Sequence, residues 1–109
     1  MNCLVVDDVV MGRKLIEENV KQIPFLNLVG SCSNAFEAMK VLQKEKVDLI
    51  FLDIQMPDIT GIEFYKNLPN KPMVVFTTAY KDFAVEGFNA DAVDYLLKPI
   101  DPKRLTDAI

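Results

Sequence analysis

Histidine is absent from all 109 residues. That removes imidazole acid–base chemistry, Ser-His-Asp and Cys-His nucleophile pairs, and His-ligated metals. Cysteine occurs only as Cys3 and Cys32. Both sit in apolar, strand-like segments, and the expected state is a buried, reduced thiol. Two cysteines without further ligands make no zinc site. No apolar run reaches the roughly 18 residues of a membrane span. The start, Met1-Asn2-Cys3-Leu4-Val5-Val6-Asp7-Asp8, has no basic region and reaches acid too early for a signal peptide, so the expectation is a cytoplasmic protein with no membrane contact. Positive charge is in the minority, with 12 Lys and Arg against 16 Asp and Glu, so this segment carries no electrostatic footprint for nucleic acid. Repeats, linkers and low-complexity stretches are missing too. Any chemistry is left to carboxylates, hydroxyls, lysine or a hard, oxygen-bound cation.

What is present is a core's worth of apolar residues, 50% of the chain, in a length that suits one domain. The organising stretch is Val47–Pro57. Val47 to Leu52 is apolar apart from Asp48, as in a strand buried on both faces. An ionisable Asp53 then follows, which is costly to bury unless something pairs with it. A turn or cap aspartate is the bland alternative.

Around it the pattern alternates. Cys3–Val6 reads as a strand and Val9 to about Ile23 as a helix, with Met11, Leu15 and Ile16 facing inward and Arg13, Lys14, Glu17 and Glu18 largely opposite. Leu26–Cys32 is a less apolar strand, expected nearer an edge. Ser33-Asn34 with Glu37 forms a capping box for a helix whose inward stripe is Ala35, Ala38, Met39 and Leu42. A short helix is expected around Gly61–Leu68, a strand at Pro72–Thr77, a helix at Tyr80–Phe88 and a strand at Ala92–Leu97. Asp101 is then expected to cap, and Pro102 to open, a last helix whose stripe reads as cut short at Ile109. Five strand–helix pairs imply a doubly wound α/β domain, a parallel sheet covered on both faces.

Ligands of such sheets bind beyond the carboxyl ends of the strands. Those ends carry Asp7-Asp8, Asp53, Thr77-Thr78 and Lys98-Pro99. Singly, each has an ordinary reading: Asp7-Asp8 as a helix cap, Thr78 as a turn residue, Lys98 as a solvated lysine. Together, three carboxylates repel unless a cation joins them, and hard oxygen donors suit Mg²⁺.

Here the chain resembles a known family. Asp7-Asp8, Leu52-Asp53-Ile54-Gln55-Met56-Pro57 with Gly61, Thr78-Ala79 and Asp94-Tyr95-Leu96-Leu97-Lys98-Pro99 look like the receiver domain of two-component response regulators. The segments around Phe76–Tyr80 and Asp94–Ile100 are similar to receivers of LytTR-type regulators, which carry a C-terminal DNA-binding domain. The resemblance implies a CheY-like (flavodoxin-like) (βα)5 fold with strand order 2-1-3-4-5, over residues 1–109 as one receiver domain with its output domain outside this chain. It implies that Asp53 is phosphorylated by a sensor histidine kinase. Asp8 and Asp53 would then bind Mg²⁺ or Mn²⁺ directly, with the backbone carbonyl of Gln55, and Asp7 mainly through water. Lys98 would pair with the phosphoryl group, Thr78 would sense it and Tyr95 would turn in response. Pro57, Gly61 and Pro99 would be structural, the last after a cis peptide. The readout face would be the fourth helix, fifth strand and fifth helix, roughly residues 80–109, where receivers dimerise; DNA would be reached only through the absent domain. Gln55, two residues after Asp53, is expected to face the approach of attacking water. Such a domain takes part in its own phosphorylation and dephosphorylation and is not a turnover enzyme.

Four other readings stay open. One is a stand-alone or phosphorelay receiver acting through protein–protein contacts. A flavodoxin-like nucleotide binder needs a Gly/Ser/Thr-rich phosphate loop after strand one, where Asp7-Asp8 stands. A magnesium phosphohydrolase commonly needs a second Asp where Gln55 stands. A degenerate receiver would not need Asp7, Asp8, Asp53, Thr78 and Lys98 intact.

Overall fold

The computed structural model describes residues 1–56, 59–78 and 94–97, the last four through their backbone. Strand β1 (Asn2–Val6) is followed by α1 (Val10–Lys21), β2 (Asn27–Cys32), α2 (Ala35–Lys44), β3 (Leu49–Asp53), α3 (Gly61–Lys66), β4 (Met73–Thr78) and β5 (Asp94–Leu97). The five strands form one sheet in the order β2-β1-β3-β4-β5, with every pairing parallel. The expected helices at 80–88 and 101–109 lie outside the described residues.

The sequence dictates this layering. In β1, Leu4 and Val6 point to one face and Cys3 and Val5 to the other; β3 divides likewise into Ile50 and Leu52 against Leu49 and Phe51. All of them are buried, which is why the strands read as unbroken apolar runs. One face packs on α2 and α3 through Ala38, Ile62, Phe64 and Tyr65. The other packs on α1 through Ile16 and Val20. Burying side chains the size of Phe51 or Phe76 contributes roughly 1.5–3 kcal/mol each. Strand β2 is an edge strand, as its mixed composition suggests, and its pairing slips one residue between Cys3 and Leu4.

Local chemistry sets the helix starts. The Asn34 side chain accepts from Glu37 N at 2.9 Å, one half of the box expected for α2, while the return bond falls one residue earlier, Glu37 Oε1 accepting from Ser33 N at 3.0 Å and not from Asn34 N. The Ser33 hydroxyl, which also donates to Glu37 Oε1, and then the Ser33 N–H hold the Glu37 carboxyl below its ordinary pKa. Thr60 caps α3 by accepting from Glu63 N at 3.2 Å.

The inward face of α1 differs from expectation. Ile16 is buried as expected, but Met11 is 77% exposed and Leu15 is exposed as well, and Asn19 and Val20 are the residues buried beside Ile16. The helix turns the arc Gly12, Ile16, Asn19, Val20 toward the sheet, a spacing of four, three and one that is as helical as the expected one. Apolarity alone does not say which side of a helix meets its sheet. Cys3 and Cys32 are buried free thiols, and burial pushes both up to about 11.

Asp48, the one acid inside the central apolar stretch, is tied at the amino end of the sheet. Its Oδ2 accepts from Asn2 N at 2.8 Å, its own N–H reaches Asn2 O at 2.8 Å, and its carbonyl accepts from Met73 N at 3.0 Å. It therefore clamps three strands at their start. Asp48→Ala is expected to cost about 1.5–3 kcal/mol of unfolding free energy, the worth of a charged hydrogen bond with a partly buried donor left behind. Urea denaturation checks this; a loss under about 0.5 kcal/mol would mean that water replaces the carboxylate freely.

Candidate functional site

Strand register brings the acidic residues together. Val6 pairs with Leu52, so the next residues along, Asp7 and Asp53, leave the sheet side by side. Both continue the parity of Cys3, Val5, Leu49 and Phe51, the α1 face. Asp7 and Asp53 are buried and Asp8 is exposed, and the three offer carboxylate oxygens within 4.8 Å of one another.

Each buried carboxylate is oriented the same way. Asp7 Oδ1 accepts from Val9 N at 2.9 Å, and Asp53 Oδ1 accepts from Gln55 N at 3.2 Å. The turn-aspartate reading is thus half realised: one oxygen of each shapes the loop two residues on. The N-cap position of α1 is Val9, which makes no side-chain cap bond.

Four bonds to main-chain oxygens fix the loops, two on each side. Arg13 Nη1 donates to Asp7 O at 3.0 Å, and Asp7 N donates to Cys32 O at 3.0 Å. Helical periodicity puts Arg13 on the solvent side; its sequence position gives no signal for this role beyond a cation six residues after an aspartate. On the other side, Ile54 N donates to Thr77 O at 3.0 Å and Gly61 N donates to Ile54 O at 2.8 Å. A Cβ on Gly61 would stand 2.2 Å from the Asp53 carbonyl oxygen. Glycine is present because the start of α3 lies directly on the main chain of Asp53.

Thr78 ends β4, fully buried, and its hydroxyl donates to Gln55 Oε1 at 3.3 Å. Gln55 therefore turns its side chain toward Thr78. Its Nε2 is buried and has no hydrogen-bond partner among the described residues. Pro57, Lys98 and Pro99 lie outside the described residues. Of Tyr95 the backbone alone is described, paired in register with Phe76.

The donor set fits a hard divalent cation. It consists of carboxylate oxygens from three residues, two of them buried where like charges repel most strongly.

Comparison with known proteins resolves the family. The response regulator receiver domain matches residues 3–109. This chain belongs to the response regulator receiver family. It is 44% identical over 111 residues to an uncharacterized response regulatory protein of Shewanella oneidensis, covering 100% of this chain and 47% of that protein. It is 41% identical over 104 residues to the transcriptional regulatory protein BtsR of Escherichia coli K12, covering 94% of this chain and 44% of BtsR. The receiver chain thus spans about half the length of the curated relatives it matches. Among solved structures, the response regulatory domain of mrkE from Klebsiella pneumoniae superposes with a TM-score of 0.89 at 34% identity, covering 99% of this chain and 91% of that one. The doubly wound architecture and the order 2-1-3-4-5 are those expected of a CheY-like receiver. Among the described residues, no helix is long and apolar enough to cross a membrane.

Proposed function

We propose that this receiver is a phosphorylation switch in which Asp53 takes the phosphoryl group from a sensor histidine kinase. The observation that carries the reading is the buried Asp53 beside Asp7 and Asp8 at the carboxyl edge of a receiver-family sheet. Asp8, Asp53 and the Gln55 carbonyl would hold Mg²⁺ or Mn²⁺, with Asp7 acting through water. The bound ion supplies charge neutralisation and alignment of phosphoryl oxygens.

The chain's own residues do the rest. An Asp53 oxygen forms the O–P bond as the P–N bond of the kinase phosphohistidine breaks, and the electron pair stays on the imidazole nitrogen. That donor imidazole comes from the partner, which accords with a receiver that has no histidine. Lys98 and Thr78 bond the phosphoryl oxygens, and Tyr95 turns into the space that Thr78 leaves. Charge-assisted hydrogen bonds to an added dianion reach the roughly 5.5 kcal/mol that a shift from 1:99 to 99:1 requires. Output follows through the face formed by residues 80–109, by homodimerisation and through a LytTR-type DNA-binding domain beyond this chain. The kinship with a transcriptional regulatory protein supports that output. The setting is the cytoplasm, and the domain does not turn over a substrate.

The test is intact mass after incubation with Mg²⁺ and a small phosphodonor such as acetyl phosphate. One phosphoryl group is expected on the wild type and none on Asp53→Asn. An unmodified wild type, or an equally modified variant, would sink the proposal.

A further inference from the structure

We propose that Gln55 is a positioning residue that holds Thr78 in the unmodified state and must release it for the switch to turn. The inference rests on the phosphoacceptor reading of Asp53. A threonine hydroxyl has one proton to donate. In this structure the Thr78 hydroxyl donates to Gln55 Oε1 at 3.3 Å. A phosphoryl oxygen on Asp53 asks for the same proton. The two bonds exclude each other, so the first stabilises the state that the second must displace.

The geometry makes the contact a device of this site and not of the core. Gln55 is half-buried, and its own N–H already serves Asp53 Oδ1 at 3.2 Å. One residue thus fixes the acceptor through its main chain and the sensor through its side chain. The Gln55 Nε2, buried with no hydrogen-bond partner among the described residues, adds an unmet donor to the resting arrangement. Withdrawal of Thr78 would let that amide reorient toward a partner. Substituting the side chain leaves the Gln55 carbonyl and N–H in place.

The probe is beryllofluoride with Mg²⁺, titrated into wild type, Gln55→Leu, Gln55→Glu, Thr78→Val and Gln55→Leu/Thr78→Val, followed by two-dimensional amide NMR. Leucine removes the acceptor, and the apparent affinity is expected to rise roughly fivefold, the worth of one ordinary hydrogen bond. Glutamate keeps an acceptor and should give no rise. In the Thr78→Val background, where there is no proton to hold, Gln55→Leu should give no gain; a purely structural role for Gln55 would move both backgrounds alike. An unchanged or weaker affinity in Gln55→Leu overturns the proposal, as does a gain that persists with Thr78→Val. Should the wild type fail to bind beryllofluoride at all, the Asp53 reading falls and takes this one with it. Should it bind, with loss in Asp53→Asn but no gain in Gln55→Leu, the holding role alone falls.

Discussion

Gly61→Ala is expected to lower the unfolding free energy by about 3 kcal/mol, a large effect for one methyl group. The added Cβ would stand 2.2 Å from the Asp53 carbonyl oxygen and 3.0 Å from its carbon, and both are main chain. Neither can rotate away, so α3 and the end of β3 must separate. Separation stretches the Gly61 N to Ile54 O bond, now 2.8 Å. The gain in helix propensity and the loss of unfolded-state freedom offset at most about 1–2 kcal/mol. Gly30 is the internal comparison. Its Cβ would meet Leu4 Cδ1 at 3.0 Å and the Val41 methyls at 3.3 Å, side-chain ends that can give way. Urea titration of both variants should show Gly61→Ala as much the weaker protein. Equal midpoints for the two would show that the backbone contact at Asp53 is easily relaxed.

The second large effect concerns metal. Asp8→Ala should reduce Mg²⁺ affinity by roughly 100-fold or more, since even outer partners of metal ligands cost 10–100-fold. Asp8 is exposed, so its loss removes no packing, and it subtracts one of three like charges. The metal-free variant should therefore melt at the same temperature as the wild type or higher. Isothermal titration with Mg²⁺, alongside thermal melts with and without the ion, reads both effects. An unchanged affinity would remove Asp8 from the ligand set. A lower metal-free melting temperature would give it a structural role instead.

Much of this site is legible in the order of residues. The runs Cys3–Val6, Leu49–Leu52 and Val74–Phe76 are apolar on both parities, and they are the strands buried on both faces. Each ends in a polar residue, and a parallel sheet puts like ends together. Asp7, Asp8 and Asp53 are thus predictable as neighbours from a pattern of types. The α2 start is legible too, because a capping box is a contact within four residues.

Other features leave no local trace. Met11 and Leu15 have the spacing of core residues, yet the sheet receives Ile16, Asn19 and Val20, because which arc of a helix is buried depends on how the helix is laid down. The Arg13 bond to the Asp7 carbonyl depends on the path of the loop between them. The Gln55–Thr78 pair spans 23 residues, and nothing in either neighbourhood points to the other.

The amino-acid order by itself determined the class of this protein. Periodicity decides which segments are strands and helices, and the absence of histidine together with acids at strand ends decides which chemistry remains. Tertiary structure decided the details on which a switch depends. Asp53 is a buried carboxylate only because β1 and β3 pair in one register. Gly61 is required only because α3 starts on that strand's main chain, and Gln55 faces Thr78 only because β4 ends beside it. Local pattern is a property of neighbours along the chain, whereas a hydrogen bond between distant residues is a property of how separate segments stop against one another.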